Sequence, residues 1–202
     1  MAIKNLGSTN GIKNSIALDG ITYTSDMQLI TTTTLGADTS SITFSNLDTV
    51  ASEYKHLRVV LTGRAGTNST GQSINLKING STSSIYNSQS FYAFSGAASR
   101  TWVYINSNDA NSFIGGCEGQ TAYPSIFQPN IYEFPNFSST SINKYYQCLG
   151  GCAIGPDVAS GSSNVSFNNG MWASTAAITT IQFVLASNFK SGTRASLYGL
   201  RG

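Results

Sequence analysis

Few side chains in this sequence have the types and spacing that catalysis requires. The chain contains one histidine, His56, which falls two residues before Arg58 on the outward side of an alternating run. A histidine-activated nucleophile also needs a positioned serine or cysteine and an acid, and no local motif supplies them. The nine Asp and Glu residues are dispersed, so no spacing indicates the carboxylate pair of a glycosidase. We therefore predict no catalytic residues and a protein that is not an enzyme.

Candidate metal ligands are equally sparse. The polar run Asn106–Ser112 has side-chain oxygens that calcium prefers, but it lacks the glycine and the terminal glutamate of an EF-hand loop, and an Asx-rich turn is the alternative. The three cysteines Cys117, Cys148 and Cys152 are an odd number, and their spacing lacks the further ligands of a zinc site. We expect buried free thiols, no bound metal and no cofactor.

A series of aromatic residues in the middle of the chain is the remaining candidate for a binding surface. Exposed aromatic rings suit the apolar faces of sugar rings, whereas packing in the core or at a subunit interface is the alternative use of such residues. Sequence alone leaves both interpretations open. The series comprises Tyr86, Phe91, Tyr92, Phe94, Trp102 and Tyr104.

Composition narrows the class of protein. Charged residues make up 10% of the chain, against an average of about a quarter, and eleven Lys and Arg face nine Asp and Glu for a net charge of +2. A charge this small and scattered argues against nucleic-acid binding. The N-terminal segment lacks the apolar core of a signal peptide, and no run of about eighteen apolar residues predicts a membrane span. We expect a protein made in a cytoplasm, without a membrane partner.

Alternating apolar residues predict strands along most of the chain. The clearest run is Ser73–Gly80, in which Ile74, Leu76 and Ile78 share one face and Asn79-Gly80 predicts a turn. Nine or ten such runs at short intervals favour an all-β fold, an antiparallel two-sheet β-sandwich of jelly-roll type over residues 27–202. The predicted core is Leu57, Val59, Leu61, Ile74, Leu76, Ile78, Ile181, Phe183, Leu185 and Leu197.

Turn residues and prolines give more detailed expectations. The last two strands, Ile178–Leu185 and Arg194–Leu200, are predicted to form a hairpin deep in a sheet, with Gly192 at positive φ in the turn. Pro129 and Pro135 place the run Ile126–Phe134 at a sheet edge or a bulge. The Gly-Gly pairs before Cys117 and Cys152 are predicted to end their strands.

The first 26 residues show neither a helical nor a strand period. Their aliphatic residues are regularly scattered among Gly, Asn and Ser, and such a segment cannot offset its own ordering entropy, roughly 1–2 kcal/mol per residue. It either stays disordered or lies on a neighbouring subunit. We favour an extended N-terminal assembly arm, residues 1–26, that contacts its partner through Ile3, Leu6, Ile12, Ile16, Leu18 and Ile21.

Several motifs, taken in order, resemble those of a group of tailed-bacteriophage virion proteins of the tail-fibre-like or minor head type, frequent among phages of cyanobacteria. The motifs are Met27–Leu35, Ser41–Leu47, Tyr54–Val59, Leu76–Gly80 and Ser196–Leu200. The resemblance implies a non-enzymatic β-sandwich on the outer surface of a virion. The few charges leave little ionic repulsion between copies, so we expect a homo-oligomer as one partner. The resemblance favours a trimer, attached to other virion proteins of the capsid or tail.

The sequence is compatible with three functions. The leading one is a structural virion subunit, either a capsid decoration or cement protein or a tail-fibre or head-fibre component. The second is a carbohydrate-binding adhesin that recognises a host surface glycan, and the third is a sugar-active enzyme. A decoration protein needs a large, partly apolar contact surface, an adhesin needs an exposed aromatic cleft, and the enzyme needs a carboxylate pair.

Overall fold

The computed structural model describes residues 4–5, 15–18, 21–24, 26–68, 71–94, 100–119, 125–152 and 164–202. Within them the chain forms fifteen strands and one turn of 3-10 helix, Leu47–Val50. The strands are β1 (Lys4–Asn5), β2 (Ser15–Leu18), β3 (Ile21–Thr24), β4 (Met27–Thr34), β5 (Thr39–Phe44), β6 (His56–Gly63), β7 (Gly71–Ile78), β8 (Tyr86–Phe94), β9 (Arg100–Asp109), β10 (Ser112–Glu118), β11 (Gln128–Phe134), β12 (Lys144–Cys152), β13 (Asn164–Trp172), β14 (Ile181–Phe189) and β15 (Arg194–Leu200).

Two antiparallel sheets build the domain. The large sheet has eight strands in the order β4-β15-β6-β11-β12-β13-β8-β9, and the small sheet has four in the order β10-β7-β14-β5. All the ladders within both sheets are antiparallel. The predicted fold class, an all-β antiparallel two-sheet sandwich, is confirmed.

The core lies between the sheets and follows the two-residue period of the strands. Every second residue is buried in β6 and in β7 from Ile74 onward, and all ten residues predicted for the core are at most 2% exposed. Phe183 of the small sheet contacts Tyr132 of the large sheet with ring centroids 4.6 Å apart. Burying such side chains stabilises the fold by roughly 1.5–3 kcal/mol each, which makes this layer the main source of stability.

The predicted closing hairpin is wrong. β14 pairs with β5 and β7 in the small sheet, whereas β15 pairs with β4 and β6 in the large sheet. Residues 190–193 therefore carry the chain from one sheet to the other, and Gly192 has the predicted positive φ, +89°. A tight turn looks the same in sequence whether it joins strands that pair or strands that stack, so the sequence could not separate the two. β15 does lie inside its sheet, as predicted.

This crossover is hydrogen-bonded to a second one, residues 35–38, which connects β4 of the large sheet to β5 of the small sheet. The backbone N–H of Leu35 donates to the Thr193 carbonyl (2.9 Å), and the N–H of Gly192 donates to the Leu35 carbonyl (2.8 Å). Asp38 accepts hydrogen bonds from the Lys190 ammonium (2.8 Å) and the Ser191 N–H (2.9 Å). These bonds lower the pKa of the Asp38 carboxyl, with the Lys190 hydrogen bond as the largest cause. The two crossovers thus hold each other in place.

Three expectations about strand ends and edges are also wrong. β11 pairs with β6 on one side and β12 on the other, so it is a central strand. Pro129 is tolerated because the β12 ladder begins only at Asn130, and Pro135 follows the strand end. The Gly-Gly pairs lie inside β10 and β12, where β10 absorbs its pair in an irregular register between Phe113 and Gly116.

The turn after β7 is built as predicted and has a further role. Asn79 and Gly80 have φ of +52° and +65°. The Asn79 side-chain amide donates to the Ala177 carbonyl (2.8 Å), and its oxygen accepts from the N–H groups of Thr179 (2.8 Å) and Thr180 (3.0 Å). Asn79 therefore fixes the segment that leads into β14. It is also the first residue of one of the Asn-x-Ser/Thr sequences of the chain.

The predicted assembly arm lies partly outside the described residues. Within residues 1–26 the structure describes β1, β2 and β3, which form a separate antiparallel sheet in the order β1-β2-β3. Ile3, Leu6 and Ile12 are not among the described residues, and for Ile16, Leu18 and Ile21 only the backbone is described. The role of the arm stays a prediction.

Substitutions in β7 test the register of the core. We expect Leu76→Ala to lower the free energy of unfolding by roughly 2–5 kcal/mol, because Leu76 is fully buried. The neighbouring Lys77→Ala should change it by less than about 0.5 kcal/mol, because Lys77 lies on the opposite face of the strand. Urea denaturation measures both. Equal losses would show that the register is shifted by one residue.

Candidate binding face of the large sheet

The outward face of the large sheet carries more apolar residues than a solvated sheet face needs. In β13 the polar residues Ser166 and Asn168 are buried, at 1% and 0% exposure, while Val165 and Phe167 are 59% and 42% exposed. The usual arrangement of an antiparallel sheet places apolar residues inward and polar residues outward. Over residues 165–168 the polarity of β13 is inverted, and β8 repeats the inversion with buried Ser88 and Ser90 and exposed Phe91, whereas Tyr86 and Trp172 at the other end of these strands are buried.

The exposed apolar residues align across five neighbouring strands. Their registers pair each one with the next, from β9 through β8, β13 and β12 to β11. We call this set the apolar row, and its members are between 39% and 68% exposed. Contiguous apolar surface of this kind is typical of contact sites for other proteins. The apolar row comprises Val103, Phe91, Phe167, Leu149 and Ile131.

A groove of about 890 Å³ runs beside the apolar row. Its centre is a line of three amide side chains, Gln89, Asn169 and Gln147, which face one another on β8, β13 and β12. Tyr145 and Ile105 flank the amides and are 60% and 66% exposed. We call this cavity the amide groove. Its volume lies in the range of small-ligand sites.

One ion pair closes the β6 side of the amide groove. Arg58 donates from Nε (2.6 Å) and Nη2 (2.5 Å) to one carboxylate oxygen of Glu133, its partner on the neighbouring strand. Both side chains are partly exposed, so the pair contributes no more than about 1 kcal/mol to stability. Because the positive charge of Arg58 and the negative charge of Glu133 cancel, the pair adds no net charge to the groove.

His56 lines the same groove and has a structural partner. Its Nδ1 accepts a hydrogen bond from the backbone N–H of Asn136 (3.0 Å), and the residue is half-buried. A neutral imidazole that accepts at Nδ1 carries its proton on Nε2. This contact ties His56 to the loop that follows β11.

The predicted aromatic series does not form one exposed platform. Tyr86 is fully buried, and its hydroxyl accepts a hydrogen bond from the Ile78 N–H (2.8 Å). Phe91 belongs to the outward face, whereas Tyr92 points to the inner face and donates from its hydroxyl to Asn168 (3.3 Å). The side chains of Phe94, Trp102 and Tyr104 are not described. Sequence reasoning missed Tyr145, whose exposed ring follows from strand alternation alone.

The candidate calcium loop and the cysteines are structural elements of the fold. The Asn106–Ser112 segment forms the end of β9, a two-residue turn and the start of β10. Cys117 and Cys148 are buried free thiols, as predicted, and the Cys152 side chain is not described. In the part of the chain that the structure describes, no group of three or more His, Cys, Asp or Glu residues could hold a metal ion.

Three of the acids are occupied by ion pairs. Asp38 binds Lys190, Glu53 binds Arg201 and Glu133 binds Arg58, with distances between 2.5 and 2.8 Å.

The described residues thus define a β-sandwich whose large sheet has an apolar row and an amide groove on its outward face. No protein-family model matches the chain, and no curated protein matches its sequence. None of the described residues belongs to a helix long and apolar enough to span a membrane.

Four ionisable groups lie between β10 and the large sheet. Burial raises the pKa of the Cys148 thiol to about 12. Burial also raises the pKa values of the Cys117 thiol and the Tyr146 phenol well above their ordinary values. The pKa of Tyr132 is also raised well above its ordinary value by burial. All four groups therefore keep their protons in the folded protein at alkaline pH.

Stability should therefore fall at alkaline pH. The unfolded chain loses these protons near the ordinary pKa values of 9.0 for cysteine and 10.0 for tyrosine, so above about pH 9 it binds fewer protons than the folded state. Burial lowers the pKa of Lys144, so this single group makes the opposite contribution, toward higher stability as the pH rises. We expect the urea midpoint to be constant between about pH 6 and 8 and to decline from about pH 9. A midpoint that stays level to about pH 11 would contradict this account.

Proposed function

We propose that this chain is a non-enzymatic structural subunit of a bacteriophage virion. It acts as an exterior decoration or cement protein or as a fibre component, and it associates with itself and with neighbouring capsid or tail proteins. The single observation that carries the proposal is the inverted polarity of β8 and β13. These strands bury Ser88, Ser90, Ser166 and Asn168 while they expose Phe91 and Phe167.

Energetics favours an assembly role for this face. Leaving a large apolar side chain in water forgoes roughly 1.5–3 kcal/mol relative to burying it, and the apolar row does so on five adjacent strands. A partner surface of standard size, roughly 800 Å² on each side, would cover the row together with Val165. The sandwich then serves as a rigid carrier of a flat contact surface.

The low charge of the chain supports the same role. With 10% charged residues, the surface has little of the ionic repulsion that keeps monomers apart. Closed symmetry is the usual way to cover a shared apolar surface, so a homo-oligomer is the expected form. The trimer follows from the resemblance to tailed-phage virion proteins described above.

Charged substitutions in the apolar row test the contact surface. We expect the double variant Leu149→Glu and Phe167→Glu to fold with a change in unfolding free energy within about 1 kcal/mol, because both residues are exposed. It should lose self-association in sedimentation velocity and should fail to co-sediment with particles that lack this subunit. The matched control is Ile142→Glu, since Ile142 is 45% exposed but lies outside the row.

Two results would contradict the proposed contact surface. Unfolding of the double variant would mean that Phe167 faces the core rather than the outside. Particle binding by the double variant as tight as that of the wild type would mean that the apolar row is not the contact.

Removal of the arm tests the second part of the assembly. Deletion of residues 1–25 keeps Asp26, whose carbonyl accepts a hydrogen bond from the Arg201 N–H (2.9 Å). We expect the truncated chain to keep the circular dichroism spectrum and urea midpoint of the full chain, because the predicted core lies within 57–197. Its binding to particles should weaken strongly. Unchanged particle binding by the truncated chain would rule out an assembly role for the arm.

A further inference from the structure

We propose that the amide groove binds a neutral glycan. The inference is independent of the virion role, since it stands on a different row of side chains. It assigns a ligand class to residues that are not part of the aromatic series predicted from sequence.

The three central amides supply hydrogen-bonding groups that are ready for a ligand. Gln89, Asn169 and Gln147 pair in register, so they repeat at the strand spacing of about 4.8 Å. Each amide offers two N–H donors and one carbonyl acceptor. No other side chain or backbone group among the described residues bonds to these three amides. A row with both donors and acceptors suits hydroxyl groups, which also donate and accept.

Apolar surfaces stand beside the amides. Tyr145 follows its neighbours on β12 to the outward face and is 60% exposed, and Ile105 lies at the β9 side at 66% exposure. Sugar rings have apolar C–H faces as well as hydroxyl edges, and an aromatic ring packs against such a face. The amides can therefore bond to the hydroxyl edge of a pyranose ring while Tyr145 and Ile105 pack against its apolar face.

The charge of the groove excludes most other polar ligands. Apart from His56, its ionisable charges are Arg58 and Glu133, which neutralise each other. Phosphate and nucleic-acid sites need a surplus of basic side chains, and the groove has none. The direction of the groove also argues against an extended peptide that adds to the sheet as a strand. It crosses the strands from β6 to the terminal strand β9, whereas a peptide that adds to a sheet edge runs along the strands.

The groove can be occupied while a protein covers the apolar row. Neighbouring rows along a strand are about 7 Å apart, because two residues of strand separate them. Val165, which is 59% exposed, extends the apolar surface on the side away from the groove. A protein partner whose edge lies between Phe167 and Asn169 leaves Asn169 and Gln147 open to solvent.

The experiment is titration calorimetry of the full chain with neutral hexasaccharides of glucose, mannose, galactose and N-acetylglucosamine. We expect one of them to bind, and Gln147→Ala and Asn169→Ala to weaken its affinity by roughly 2- to 10-fold each. Tyr145→Ala should weaken it by roughly tenfold. A uronic acid oligosaccharide of the same length should bind more weakly, because the groove has no uncompensated positive charge.

A matched control separates the groove from the apolar row. Leu149→Gln alters the next outward position on β12 and should leave glycan affinity unchanged while it weakens self-association. No binding of the four neutral probes at millimolar concentration would overturn the glycan proposal. So would binding that Gln147→Ala and Asn169→Ala leave unchanged, or groove variants that impair self-association and not glycan affinity. The first two outcomes say nothing about the apolar row, so the glycan proposal can fail while the assembly proposal stands.

Discussion

The packing of Phe183 on Tyr132 is the contact on which the two sheets depend. Their rings lie 4.6 Å apart, and both side chains are excluded from water. Phe183 comes from β14, an interior strand of the small sheet, and Tyr132 comes from β11, an interior strand of the large sheet. Because β14 and β15 are adjacent in sequence but must lie on opposite sides of this contact, their connection has to cross between the sheets.

The unequal size of the sheets creates the second constraint. Four strands cannot cover eight, and β10 makes most of the close backbone approaches from the small sheet to β12, β13 and β8. At one end of β8 and β13 the inward residues are the large aromatics Tyr86 and Trp172. Further along these strands the inward residues are Ser88, Ser90, Ser166 and Asn168, and the outward residues beside them include Phe91 and Phe167. On these two strands the exposed apolar row thus lies over the part of the sheet whose inward side chains are small or polar.

Strand alternation explains how much of this fold the sequence could predict. Ile74, Leu76 and Ile78 follow a strict period of two, and their burial was predicted correctly because one face of that strand must be apolar. Contacts between strands that are distant in sequence decided the rest. Nothing near Pro129 indicates that β6 and β12 flank it, and nothing near Gly192 indicates whether its two strands pair or stack.

The candidate face was harder to predict for the same physical reason. A phenylalanine such as Phe167 is equally compatible with a core and with an interface, and only the burial of its neighbours Ser166 and Asn168 identifies which side is which. The aromatic series could not be assigned to one face from sequence, because Phe91 and Tyr92 are adjacent and point to opposite faces of β8. The amides of the groove carry no sequence signal, since they come together only through register.

One strand shows how the face divides into two surfaces. On β12, Lys144, Tyr146 and Cys148 are buried, and the alternate residues Tyr145, Gln147 and Leu149 face outward. Tyr145 and Gln147 line the amide groove, while Leu149 belongs to the apolar row. The inward residues fix the register of the outward ones, because a shift by one residue would expose Cys148 and bury Gln147. The core therefore positions both surfaces, and a substitution on the outward face can alter one of them without loosening the sheet beneath it.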